Sequence, residues 1–244
     1  MNSTEKDAPL PQILIRGADG APGTNGNPGV NGVNSKEDGT GQNGDNGTEG
    51  FFAGCTCATD GTHGADAQRG GGGGGTGSNG GSISTFTISA SKYVGPIHFV
   101  ARGGTGGLGG AGGNGGNGDT GGDGGTNSPK CMAGGHCMPT SGGIGGDASN
   151  GGPGGKGGNG GAGTSIEIIY TGRQPQNIVA QSFGGDAGAP GKGGRAGSPG
   201  QGGFGEEIKG ERDQASAGRQ ASDGGDRGGG EVGKVGTVRL VREG

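Results

Sequence analysis

Four cysteines and two of the three histidines fall in two short stretches. Cys55, Cys57 and His63 lie in one, and Cys131, His136 and Cys137 in the other. A Cys-x-Cys set beside a Cys-x₅-Cys set offers four thiolates, the donors of a tetrahedral zinc site, with His63 or His136 as alternative ligands. Both spacings fall outside the usual Cys-x₂₋₄-Cys. The same sulfurs can instead form two disulfides. A bridge inside Cys55-Thr56-Cys57 would be strained, so pairing would run between the stretches. Free or buried thiols are the third reading, and the sequence leaves all three open. His98 alternates with apolar strand residues and reads as having no role. Paired carboxylates such as Glu206-Glu207 sit among Lys209, Glu211, Arg212, Asp213 and Arg219 and read as solvated charges. The many G-x-G-x-x-G matches follow from glycine abundance and lack a strand–turn–helix setting. Asn46-Gly47-Thr48 matches a glycosylation acceptor with no secretion signal beside it. No Ser/His/Asp set or phosphate loop occurs. The expectation is a protein that is not an enzyme and has no cofactor, zinc at the tip cysteines excepted.

The elements that must position these residues are unusual. Glycine takes 76 of 244 positions, there is no Trp, and only two Tyr occur. Just 30 residues are Leu, Ile, Val or Phe, about 12%, well under the ~20% at which a conventional core becomes doubtful. The net charge is only −4, so the high charge that usually accompanies disorder is missing. The balance of 18 basic to 22 acidic residues gives no general pull on nucleic acid or membrane. The opening Met-Asn-Ser-Thr-Glu-Lys-Asp lacks a basic-then-apolar leader, and no apolar run is long enough to span a bilayer. These features leave the location of the protein open.

The glycines recur every third residue. Gly17, Gly20, Gly23, Gly26, Gly29 and Gly32 set the beat, and Gly41, Gly44, Gly47 and Gly50 resume it. From Gly103 to Gly124, from Gly151 to Gly163 and from Gly185 to Gly203 the triplets hold, many with a second glycine. Three residues per turn is polyproline-II geometry, neither helix nor strand. Collagen shares the period but wants abundant proline, and only 11 prolines occur here. A bundle of polyglycine-II helices fits better. Such helices have no internal hydrogen bonds, so all-glycine columns must let neighbouring backbones approach and pair. Runs with two glycines per triplet are expected inside, and 17–32 at the periphery.

Short β-branched segments bracket the runs. Ile13–Gly17, Ile97–Gly103 and Ile178–Gly184 open them; 85–88, 165–170 and 237–241 close them. Each reads as a strand. The unit is strand, outward glycine run, tip loop, return run, strand, and it occurs three times (10–88, 97–170, 177–242) after a flexible 1–9. The expected fold is a single domain: a non-collagen polyglycine-II helix bundle with a small antiparallel β-sheet or sandwich at one end and essentially no α-helix. The first and last strands are expected to meet and close that sheet. Its core is expected to include Ile13, Ile15, Phe86, Ile88, Phe99, Ile166, Ile168, Val179, Phe183, Val238 and Leu240. At roughly 3.1 Å per residue, 103–126 would span about 74 Å.

The stretch GADGAPGTNGNPGVNG is similar to springtail (snow flea) antifreeze proteins. The GGxGG runs with variable tip loops resemble the receptor-binding adhesins at the tail-fibre tips of T-even-like phages. Ala101-Arg102-Gly103-Gly104 opens its run as in glycine-rich portions of uncharacterised bacterial proteins. The resemblance implies the bundle more than any role, and the β segments depart from the first two groups.

The tips, about 51–63, 127–141 and 204–222, carry the sequence variety. Phe51, Phe52, Met132, Met138 and Phe204 supply apolar anchors of the kind interfaces favour. The expected function is a rigid, adhesin-like scaffold whose tips bind a protein or cell-surface receptor. The alternative is a structural or assembly subunit (filament, coat or matrix) joining copies of itself. Ice binding fits less well, because the x positions mix Asn, Asp, Lys and Arg. No nucleic-acid partner and no membrane insertion are expected.

Overall fold

The computed structural model describes residues 13–27, 29, 40–50, 54–91, 97–175 and 178–244. The expected flexible 1–9 lies outside them. Six strands form where β-branched residues cluster: β1 (Ile13–Arg16), β4 (Phe86–Ala90), β5 (Ile97–Arg102), β6 (Ile166–Tyr170), β7 (Ile178–Phe183) and β8 (Val238–Arg242). Two short strands, β2 (Thr48–Gly50) and β3 (Gly54–Thr56), lie in the first tip. One five-residue helix, α1 (Pro129–Ala133), lies in the second.

The strand pairing corrects the antiparallel expectation. The six main strands make two three-stranded sheets, β1-β5-β7 and β4-β6-β8, both wholly parallel. Each sheet collects like strands, in chain order. The physical reason is the crossover: a parallel pair needs a long connection, and each out-and-back glycine excursion supplies one. Strands adjacent in sequence, β4 with β5 and β6 with β7, fall in different sheets rather than forming hairpins. β1 and β8 do not meet; they are edges of separate sheets. Among the described residues the only antiparallel sheet is β2-β3.

The apolar core is small. Ala101, Ile166 and Ile168 are buried together, with Ile83, Ile88, Ile178 and Ala180 against them. Phe99 and Tyr170 are also buried. Several residues expected in this core are instead exposed: Ile13, Val179, Phe183, Val238 and Leu240. Val179 and Phe183 lie on the outward row of β7, whereas Ile13, Val238 and Leu240 sit on the outermost strands, where their inner rows are only half covered.

Between the sheets and the tips the glycine runs carry neither helix nor strand, and their backbones bond to one another. In the 103–126 run the first glycine of each triplet donates to the 183–204 run, as in Gly106 N–H to Asp186 O and Gly112 N–H to Lys192 O. The second donates to the return run of the first unit, as in Gly107 to Ser78 and Gly113 to Gly72. Carbonyls on the same run accept from Gly20 and Gly26 on one side, and from Gly158 and Gly152 on another. Outward runs 17–27 with 41–47, 103–126 and 183–204 therefore lie in one row, continuing the β1-β5-β7 sheet. Return runs 58–83, 141–164 and 215–236 lie in a second row, continuing β4-β6-β8. The doubled-glycine runs 103–126 and 141–164 are the deepest, and 17–27 and 215–236 are mostly exposed.

The third N–H of many triplets is capped by a side chain. Asp19 Oδ1 accepts from Thr105 N–H, Asn25 from Ala111, Asn43 from Asp123 and Asn79 from Asn159. Asn114 accepts from Arg195, and Asp147 from Arg219. The bond from Thr105 is the main reason that Asp19 holds its proton less tightly than an ordinary carboxyl; desolvation opposes this and Arg16 assists it. Asn and Asp at the x positions thus complete the lattice, since a short side-chain oxygen reaches a neighbouring backbone donor.

Candidate partner-binding tip

Three tips gather at the end opposite the sheets, and they are shorter than expected. The first return run begins near Thr59, whose N–H donates to Asp45 O, and the third by Ala215, whose N–H donates to Gly203 O. Residues 215–222, Arg219 included, therefore belong to a run rather than to a tip. In the first tip β2 pairs with β3, in register Glu49 to Cys55, around Gly54 at φ 77°. Phe51 and Phe52 lie outside the described residues. In the third tip, bridges Phe204–Gln214 and Ile208–Glu211 flank a tight turn at Lys209 and Gly210, with φ 53° and 88°. Positive φ at both central residues is the backbone of a type I′ turn.

The cysteines are paired. Cys55 bonds Cys131 and Cys57 bonds Cys137, with Cα atoms 5.7 and 5.4 Å apart. Both bridges tie tip one to tip two. Cys131 and Cys137 are buried, and Cys55 and Cys57 exposed. With every sulfur in a disulfide, no thiolate remains for zinc. Among the described residues no group of three or more His, Cys, Asp or Glu side chains is gathered for a metal. His63 and His136 are exposed.

A buried polar hub joins tips two and three to the start of the first return run. Asn127 is 4% exposed and Glu206 is 7%. Asn127 donates through its backbone N–H and Nδ2 to the two carboxylate oxygens of Glu206, at 2.6 and 2.7 Å. Its Nδ2 also donates to Met138 O, and its Oδ1 accepts from Ala58 N–H. One side chain therefore contacts tip two, tip three and the start of the first return run. At the surface Glu49 accepts from Ser128 Oγ and Lys130 Nζ at 2.7 and 3.0 Å. These bonds, the serine's first, hold its carboxyl below the usual carboxylate range. Sequence reasoning missed Asn127 and read Glu206 as a solvated charge; burial against Asn127 corrects that reading. The signal was present: Asn127 and Glu206 are 79 residues apart, close to the unit length.

Of the expected anchors, Met138 is 81% exposed, Met132 is half-buried on α1, and Phe204 is 40% exposed. Arg212 lies over the Phe204 ring, 5.3 Å from its centroid, and donates to Gly205 O. Beside this contact a cavity of about 590 Å³ opens between tips two and three, lined by Pro139, Thr140, Glu206, Ile208, Glu211 and Gln214 among others. Among the described residues no helix is long and apolar enough to cross a membrane.

No family model matches the chain, and no curated protein matches it. Among solved structures it is similar to the nine polyproline type II helical bundle springtail antifreeze protein from Granisotoma rainieri, whose crystal waters match the ice lattice. The two share 27% identity over 76% of this chain and 96% of that one, with a TM-score of 0.16. So low a score leaves the two backbones unsuperposed, and the likeness carries no argument about this chain's fold or role. No family model or curated protein supports the likeness to phage adhesins or bacterial glycine-rich proteins.

Proposed function

We propose that the glycine runs form a polyglycine-II bundle of three out-and-back units (10–88, 97–170, 177–242). In this reading the bundle is a non-enzymatic rigid scaffold that presents its joined tips to a protein or cell-surface receptor. The observation that carries the reading is the cross-tying of the tips: two disulfides and the Asn127–Glu206 hub fix loops that the glycine lattice does not need. Rigid presentation lowers the ordering cost of binding, and Met138 stands almost fully exposed on that platform. Phe51 and Phe52 supply further anchors from the sequence of tip one.

The test labels the chain and measures its binding to candidate cell surfaces, with a Phe51→Ser/Phe52→Ser/Met138→Ser variant alongside. The expected result is unchanged melting with binding lost. A variant that binds as well as the parent overturns the reading; one that melts early makes those side chains part of the fold instead.

A further inference from the structure

We propose that the β end is a head-to-tail contact between copies of this chain. In it β1 of one copy adds in parallel to the free edge of β7 of the next, while β4 adds to β8. The inference is independent of the tip reading, because it uses the opposite end of the molecule.

The internal interfaces define the operation. Along the first sheet Ile13, Phe99 and Ala180 share one level, and along the second Phe86, Ile166 and Val238 do so. Every strand in a sheet runs the same way and in chain order, so the outer edges are complementary: among the described residues no strand pairs with β7 beyond β5, and of its outward carbonyls Ser182 O accepts from Gly236 N–H at 3.3 Å. The apolar rows also run off both ends. Val238 and Leu240 are in register with Ile166 and Ile168, which are 2% and 0% exposed, yet they are themselves 40% and 42% exposed. Ile13, in register with buried Phe99, is 42% exposed. Val232 and Val235 extend the open row along the last return run at 69% and 73%. A second copy placed by the same step covers these residues.

Backbone bonding points the same way. Gly17 N–H donates to Arg102 O, and Gly103 N–H to Phe183 O. Gly184 stands at the equivalent position of the last outward run and makes no such bond among the described residues; Arg16 O of a second copy is its natural acceptor. Of each pair one edge is unguarded: β4 and β7 contain no Lys, Arg or Pro, the usual guards of a free edge, whereas β1 carries Arg16 and β8 carries Arg239 and Arg242.

Farther along, the same flank is closed. Pro190 and Pro199 lack an N–H, and the amides of Gly193 and Ala196 are capped by Asp226 and Asp223. The contact is therefore confined to the β end and the first two triplets, so it is small and reversible. Being heterologous, it builds open chains or rings rather than closed pairs.

The register gives a direct test. Leu14 is level with Val100 and Gln181, so Leu14→Cys/Gln181→Cys should cross-link between copies under mild oxidation. A non-reducing gel should show a ladder that fades on dilution. The control, Leu14→Cys/Gln220→Cys, places the second thiol on the exposed last return run and should not. In sedimentation Val235→Asp, at a residue 73% exposed, should weaken self-association about tenfold or more, with melting unchanged. Equal cross-linking by both pairs, or a parent chain that stays monomeric at millimolar concentration, overturns the proposal.

Discussion

Ile168 at the β end and Gly112 in the middle run are both surrounded by protein, but by different atoms. Ile168 is 0% exposed and meets apolar side chains of neighbouring strands. Around Gly112 the neighbours are backbone: a Cβ built there would lie 2.0 Å from Gly152 O. At the β end, side chains fill a core, and their volume can be traded against their neighbours. Along the glycine runs the absence of side chains is itself the packing condition, and hydrogen bonding replaces apolar burial. The two regions should therefore respond to mutation by different rules.

The largest effect should come from Gly112→Ala. No flexible side chain stands in the way that could rotate aside; the added methyl meets a carbonyl and must break the lattice locally, so little soluble folded protein is expected. Asn114→Ala, two residues on, removes one acceptor from Arg195 N–H and should cost about 1 kcal/mol. Equal tolerance at the two sites would contradict a backbone-packed interior. Ile168→Ala comes next. Truncating a fully buried isoleucine typically costs about 2–5 kcal/mol, and the melting temperature should drop clearly while tip contacts persist.

Much of this division was legible in the sequence. The period of three marks the runs, the doubled glycines mark the deep ones, and Ile13, Ile97, Ile166 and Ile178 mark strands. Strand direction was not legible: whether β4 turns back on β5 or passes to the other sheet depends on where the whole excursion between them lands, which no local pattern records. The burial of Val238 and Leu240 was overestimated for a related reason, since composition cannot tell a central strand from an outer one. The Asn and Asp caps left a trace that only the fold explains. Asn79 caps Asn159, which caps Glu231, and Asp66 caps Asp147, which caps Arg219. Read along the chain, these are unremarkable polar x residues. The tip hub left only a spacing: Asn127 and Glu206, 79 residues apart, become partners when the units stand side by side.

The smallest effect sharpens the comparison at the tips. Glu49 has a lowered folded pKa, so whatever stability it adds is present above the ordinary carboxylate range and is lost as pH falls through the lowered value. Because the group is exposed, acid should loosen only the Glu49–Ser128–Lys130 contact. An NMR titration should show the Glu49 carboxyl titrating below a reference glutamate, and Glu49→Gln should leave the melting temperature nearly unchanged. Melting that falls with Glu49 protonation would make this contact part of the global fold.

Residue-resolved hydrogen exchange across 103–126 tests the lattice most directly. Both glycine amides of the triplets are hydrogen-bonded to other runs, so Gly106, Gly107, Gly109, Gly110, Gly112 and Gly113 should be strongly protected. Thr105 and Ala111, capped by Asp19 and Asn25, should be protected less, and should exchange faster in Asp19→Ala and Asn25→Ala while the glycines keep their protection. Glycine amides exchanging as fast as an unfolded peptide throughout this run would contradict the account.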